Sequence, residues 1–107
     1  MIVMNTDTGK MIAQFPAGGA DEMFFDAPSQ RIYLQGYEGL AEVWKEVDPD
    51  HYDVVGKIQG GVHGKTALFV PELNRYYNAV SQQMISVETV LGSKLVEGCI
   101  EVYEVQP

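Results

Sequence analysis

The chain has a single cysteine, Cys99, among its 107 residues. No disulfide framework can form within one chain. Basic residues are also scarce: 7 Lys and Arg face 15 Asp and Glu, for a net charge of −8. That deficit argues against a nucleic-acid backbone as partner, because phosphates call for a basic surface. It argues equally against an anionic membrane surface. No apolar run approaches the length of a transmembrane helix. The opening residues, Met1 to Asp7, lack the basic segment and long apolar stretch of a signal peptide. A cytoplasmic location is the expectation, or a periplasmic or secreted one if the chain is processed. What is present is ordinary for a folded protein. The apolar fraction is 46%, too high for disorder. The length suits one domain, residues 1–107, or two small repeat units with a modest core.

A faint internal repeat organises the chain. Residues Met23 to Tyr33 read against Ala67 to Tyr77 at a spacing of about 44 residues. Each copy is an apolar strand, a polar or Pro-containing turn, an arginine (Arg31, Arg75), then an aromatic strand. Glu101-Val102-Tyr103 echoes Glu42-Val43-Trp44, but about 59 residues on, so about 15 residues are inserted between Val80 and Ile100. The pattern predicts strands at Ile2 to Met4, Met11 to Phe15, Glu22 to Phe25, Arg31 to Leu34, Leu40 to Val47 and His51 to Ile58. Thr66 to Val70, Arg75 to Val80 and Ile100 to Val105 follow.

Turn signals separate these strands: Asp7-Thr8-Gly9-Lys10, where Asp7 can cap the turn, Pro28-Ser29, Gly36 to Gly39, Asp48-Pro49-Asp50, Gly60-Gly61 and Pro71 to Asn74. Ala41, Val43 and Val47 should share one face, Glu42, Trp44 and Glu46 the other, with Tyr52, Val54 and Ile58 in phase along the next strand. A helix over Leu73 to Met84 competes, since Tyr76, Val80 and Met84 share a helical face. Asn74, Tyr76, Tyr77 and Asn78 are weak helix formers and favour the strand. The insertion, residues 81–98, reads as a long loop or an added hairpin from Ile85-Ser86-Val87 and Lys94-Leu95-Val96.

At Leu68-Phe69-Val70-Pro71-Glu72-Leu73-Asn74-Arg75-Tyr76-Tyr77 the chain resembles the YncE/YVTN-type β-propeller proteins, whose blades carry an Asn-Arg-aromatic-Tyr step between first and second strands. Asp7-Thr8-Gly9-Lys10-Met11-Ile12-Ala13 is similar to their Thr-Gly-Lys hairpin between third and fourth strands, and Val102-Tyr103-Glu104-Val105 to a terminal propeller strand. The resemblance implies an all-β fold of antiparallel four-stranded blades, about two per chain. Residues 20–60 would form the first blade and 61–107 the second, while 1–19 would complete a blade of a neighbour. The second blade then lacks an outer strand and the N-terminus has one to spare. An exposed edge invites pairing, so the implied partner is a second copy in a cyclic homo-oligomer, a trimer or a tetramer. A β-rich oligomer of another kind and a monomer are the other readings.

Candidate chemistry is sparse. Gly60-Gly61-Val62-His63-Gly64-Lys65-Thr66 suggests a phosphate loop, but position 59 is Gln59 where the pattern needs Gly, and a strand follows in place of a helix. His51 sits in the oxygen-rich Asp48-Pro49-Asp50-His51-Tyr52-Asp53, yet an EF-hand spacing is absent and turn capping explains the aspartates. Cys99, His51 and His63 show no zinc spacing. No Gly-x-Ser-x-Gly elbow occurs, and Cys99 has no activating neighbour in sequence. Trp44, Tyr33, Tyr76, Tyr77 and Tyr103 read as sheet-packing aromatics. The resemblance places His63, Lys65, Asp21 and Glu22 at blade entrances near a central channel, which makes them the candidate ligand-binding residues. The expectation is a binding or scaffold module without catalytic activity or cofactor. A hydrolase or lyase with its site at a subunit junction, and a self-assembling fragment without selected activity, stay open beside it.

Overall fold

Period-two alternation and β-branched and aromatic residues favour extended backbone, and strands dominate the fold. A computed structural model describes residues 1–36, 38–86 and 92–107. The strands are β1 (Ile2–Met4), β2 (Met11–Gln14), β3 (Glu22–Asp26), β4 (Arg31–Gln35), β5 (Leu40–Asp48), β6 (His51–Gln59), β7 (Thr66–Val70), β8 (Arg75–Val80), β9 (Gln83–Ser86), β10 (Ser93–Val96) and β11 (Cys99–Glu104). All pairs are antiparallel. The protein is all-β, with a four-stranded sheet ordered β3-β4-β5-β6, a three-stranded sheet ordered β11-β8-β7, and the hairpins β1-β2 and β10-β9.

The competing helix over Leu73 to Met84 is replaced by a single 3-10 turn, Pro71–Leu73, and then by strand β8. Asn74 closes that turn in the left-handed region at φ 50°. The insertion holds the hairpin β9-β10, paired from Ser93–Ser86 to Val96–Gln83; Val87, which the sequence placed in its first strand, lies outside the described residues. In the β1-β2 turn the cap comes from Asn5, whose Oδ1 accepts the amides of Asp7 and Thr8 at 2.9 Å each, in place of the expected Asp7. Gly9 follows with φ 68°.

The two larger sheets have the same register. In the first, Glu22 pairs with Gln35, Phe24 with Tyr33 and Asp26 with Arg31. In the second, Thr66 pairs with Ala79, Leu68 with Tyr77 and Val70 with Arg75. Each pair of the second is a pair of the first displaced by the sequence spacing of about 44 residues. The next strands match too. Tyr33–Val43 and Leu34–Glu42 in the first sheet correspond to Tyr77–Val102 and Asn78–Glu101 in the second. The added hairpin therefore leaves the register of β11 undisturbed.

Paired residues on neighbouring strands share a face. The inner face of the four-stranded sheet carries Phe24, Tyr33, Ala41 and Val43, and it packs on Ala67, Phe69, Tyr76 and Tyr103 of the three-stranded sheet. Tyr33 stacks on Phe69 with centroids 4.7 Å apart and on Tyr76 at 5.6 Å, while Phe24 meets Tyr76 edge-on at 6.2 Å. One expectation about phase fails. Val43 pairs with Gly56 but Trp44 pairs with Val54, so Val55 is a bulge. Tyr52 and Val54 therefore lie on the Trp44 face, and Ile58 lies on the opposite, inner face. Trp44 and Glu42 are buried as well as Ala41 and Val43. Phe15 covers the outer face there, tilted 5.7 Å from Trp44 and 5.6 Å from Tyr52.

Candidate functional site

The seam between the two sheets is held by buried polar groups. Gln35, at the end of β4, has no exposure at all. Its Oε1 accepts from the Tyr76 hydroxyl at 2.7 Å, and its Nε2 donates to the Gly64 carbonyl. A fully buried amide needs such partners, because leaving it unpaired costs about 1–3 kcal/mol. Glu101, on β11, gathers three donors. Gly61 N and Asn78 Nδ2 donate to it at 3.0 Å each, as does the Tyr103 hydroxyl at 3.0 Å. Glu42 plays the matching part on the first sheet. It accepts from Trp44 Nε1 at 3.4 Å and pairs with Lys57 Nζ at 2.9 Å. Each glutamate thus holds the aromatic residue two positions on, in the Glu-Val-aromatic motif that repeats in sequence.

Titration follows from these surroundings. Burial opposes ionisation of Glu42, but hydrogen bonds from Lys57 and Trp44 outweigh it and hold the carboxyl below its ordinary value. Burial, with the charge of Glu22 behind it, pushes the Tyr76 hydroxyl upward. Burial raises Tyr33 too, partly opposed by Arg31 beside it. Among the described residues the enclosed Tyr33 hydroxyl has no hydrogen-bond partner; the neighbouring Arg31 guanidinium donates to the Gln106 carbonyl.

The four residues singled out from sequence separate into two groups. Glu22 is a latch: its Oε2 accepts the Ala67 amide at 2.6 Å and ties β3 to β7. Asp21 is exposed, with its own amide bonded to Gln35 O at 2.8 Å. His63 and Lys65 share the wall of an open concavity of about 550 Å³ with Thr66, Ser81 and Cys99. His63 stands at φ 64°, a left-handed turn position inside the Gly61–Gly64 connection. Cys99 is the member of this wall that sequence spacing did not connect to the others, since only the pairing of β11 with β8 brings it there.

At the other histidine, His51 Nδ1 lies 2.7 and 2.8 Å from the two carboxylate oxygens of Asp48, and Asp48 also accepts the Asp50 amide at 2.9 Å. This is turn capping by Asp48. The bond to Asp48 raises the pKa of His51. Among the described residues no group of three or more His, Cys, Asp or Glu side chains is arranged to hold a metal ion, and no helix is long and apolar enough to cross a membrane.

Comparison with protein-family models, with curated proteins and with solved structures finds no match to this chain.

Proposed function

We propose that the chain is a non-catalytic scaffold and binding module of β-propeller type that works as a ring of copies, three or four to the ring. The observation that carries the reading is the common register of the two sheets at the spacing of the sequence repeat, combined with their face-to-face packing. A unit that repeats its pairing and packs face to face on its neighbour is built to be stacked, and stacked units need partners at both ends. β11 is an edge strand of its sheet, and β1-β2 is a two-stranded ribbon with open edges, so the chain carries free pairing sites at both ends of its order.

The ligand seat in this reading is the concavity walled by His63 and Lys65. An imidazole and an ammonium on one wall suit a small carboxylate or phosphate. Glu22 stands outside the seat: it does not line the concavity, and its Oε2 accepts the Ala67 amide. The test is calorimetric titration with inorganic phosphate and a panel of small dicarboxylates, on the native protein and on the double variant His63→Ala with Lys65→Ala. Binding that is lost in the variant while its oligomeric mass is kept supports the module. Turnover of a hydrolase or lyase substrate, abolished by Cys99→Ser or His63→Ala, would replace it with an enzyme whose site is this same concavity.

A further inference from the structure

Among the described residues, one face of the three-stranded sheet is covered and the other is open. Its other face presents the row Leu68, Tyr77 and Val102, with Ile100 beside it; Leu68 is 55%, Val102 52% and Ile100 62% exposed. By register this row corresponds to Phe24, Tyr33 and Val43 of the four-stranded sheet, which is the row buried in the seam. What covers it there is the row Phe69, Tyr76 and Tyr103. The residues that correspond to that covering row are Phe25, Ile32 and Trp44, on the outer face of the four-stranded sheet. Phe15 covers the Trp44 end, but Phe25 is 53% and its neighbour Met23 59% exposed. One chain therefore displays, on opposite sides, both halves of a contact it already makes once internally.

We infer that the outer face of the three-stranded sheet docks on the Met23–Phe25 flank of a second copy of this chain, repeating the internal seam between molecules. The inference rests on the scaffold reading and names the surfaces of its contact. Tyr77 takes the place of Tyr33 and stacks on the partner's Phe25, as Tyr33 stacks on Phe69; Leu68 covers the partner's Ile32, as Phe24 covers Tyr76. The contact is heterologous, each copy using a different face, so it propagates around a ring or along a filament. The dimensions agree. A compact domain of this length has a radius of gyration of about 13 Å, whereas this chain measures 16.4 Å with extents of 57 × 29 × 20 Å. The chain is thus more extended than a self-contained domain, and it leaves apolar residues of both larger sheets exposed.

The experiment measures molar mass by light scattering for the native chain, for Phe25→Lys, for Leu68→Lys with Val102→Lys, and for an equimolar mixture of the two variants. Salt is kept at physiological strength or above, because copies of net charge −8 repel one another. All substituted side chains are more than half exposed, and the far-ultraviolet strand signal checks that each variant keeps its fold. The native chain should associate. Each variant alone should associate at least about tenfold more weakly, since a buried unpaired ammonium is costly. The mixture should recover a dimer and go no further, because each variant retains one sound face. A native mass equal to one chain overturns both the inference and the scaffold reading. Association that neither variant weakens overturns the inference and leaves the scaffold reading standing. Variants that fail alone and fail together overturn the heterologous pairing.

Discussion

The four-stranded and three-stranded sheets share a register and differ in their cover. In the first, Ala41, Glu42, Val43 and Trp44 are all buried, because the second sheet lies on one face and the Phe15 segment on the other. In the second, strands of the same pairing bury Tyr76, Asn78 and Val80 on one side and leave Leu68, Ile100 and Val102 open on the other. Strand pairing is thus set by local sequence, the turn chemistry and the alternation. Burial is set by what lies across the sheet, and among the described residues the second sheet's outer face leaves Leu68, Ile100 and Val102 uncovered.

The sharpest way to break the comparison is at the glycine connections that let the sheets meet. Gly39 has φ 80°, and a Cβ there would overlap the Gly61 backbone carbonyl. Gly39→Val combines left-handed strain with a clash against backbone that cannot move aside, and should cost about 3 kcal/mol or more, read by urea denaturation. Next in size is Tyr76→Phe. It leaves the fully buried Gln35 Oε1 without its donor and should cost about 1–3 kcal/mol. The control is Tyr33→Phe in the same stack. The Tyr33 hydroxyl is enclosed without a partner among the described residues, so its removal should be neutral or stabilise by up to about 1 kcal/mol. Equal effects in the two variants would show that the Tyr76–Gln35 bond contributes nothing particular to the seam.

Acid sensitivity is a smaller effect. The folded pKa of Glu42 is depressed, so its contribution is present above the unfolded value of about 4.3 and lost as pH falls through the folded one. Glu42→Gln should flatten that part of the stability-versus-pH curve. The smallest effect is local. His51, beside Asp48 on the exposed β5-β6 turn, should titrate above its ordinary value of about 6.5 by NMR, and Asp48→Asn should bring it back toward that value, with Asp50 and Asp53 still raising it. Being raised, it favours the fold at pH below that value and loses the effect as pH rises through the folded pKa.

Most strands were legible in sequence because alternation and turn residues are local signals. The Arg31 and Arg75 repeat found the second strand of each sheet, and the Glu-Val-aromatic echo found the third. The bulge at Val55 was not legible, since Tyr52-Asp53-Val54-Val55-Gly56 alternates equally well in either phase and the choice is made by β5. The site was legible only in part. His63 and Lys65 are two residues apart in sequence and line one concavity, whereas the role of Gln35 was invisible: an amide at a strand end looks exposed until a second sheet closes over it. Cys99 joins their concavity through strand pairing across the insertion, which no spacing rule reports.

In the proposed assembly the second sheet's open face is covered by another copy of the chain. The most direct test is the mass of the native protein by light scattering over a range of concentration, at low and at physiological salt. The expected masses are multiples of 11.9 kDa that grow with concentration and with salt, as screening relieves repulsion between acidic copies. A mass of 11.9 kDa at every concentration and ionic strength would contradict it.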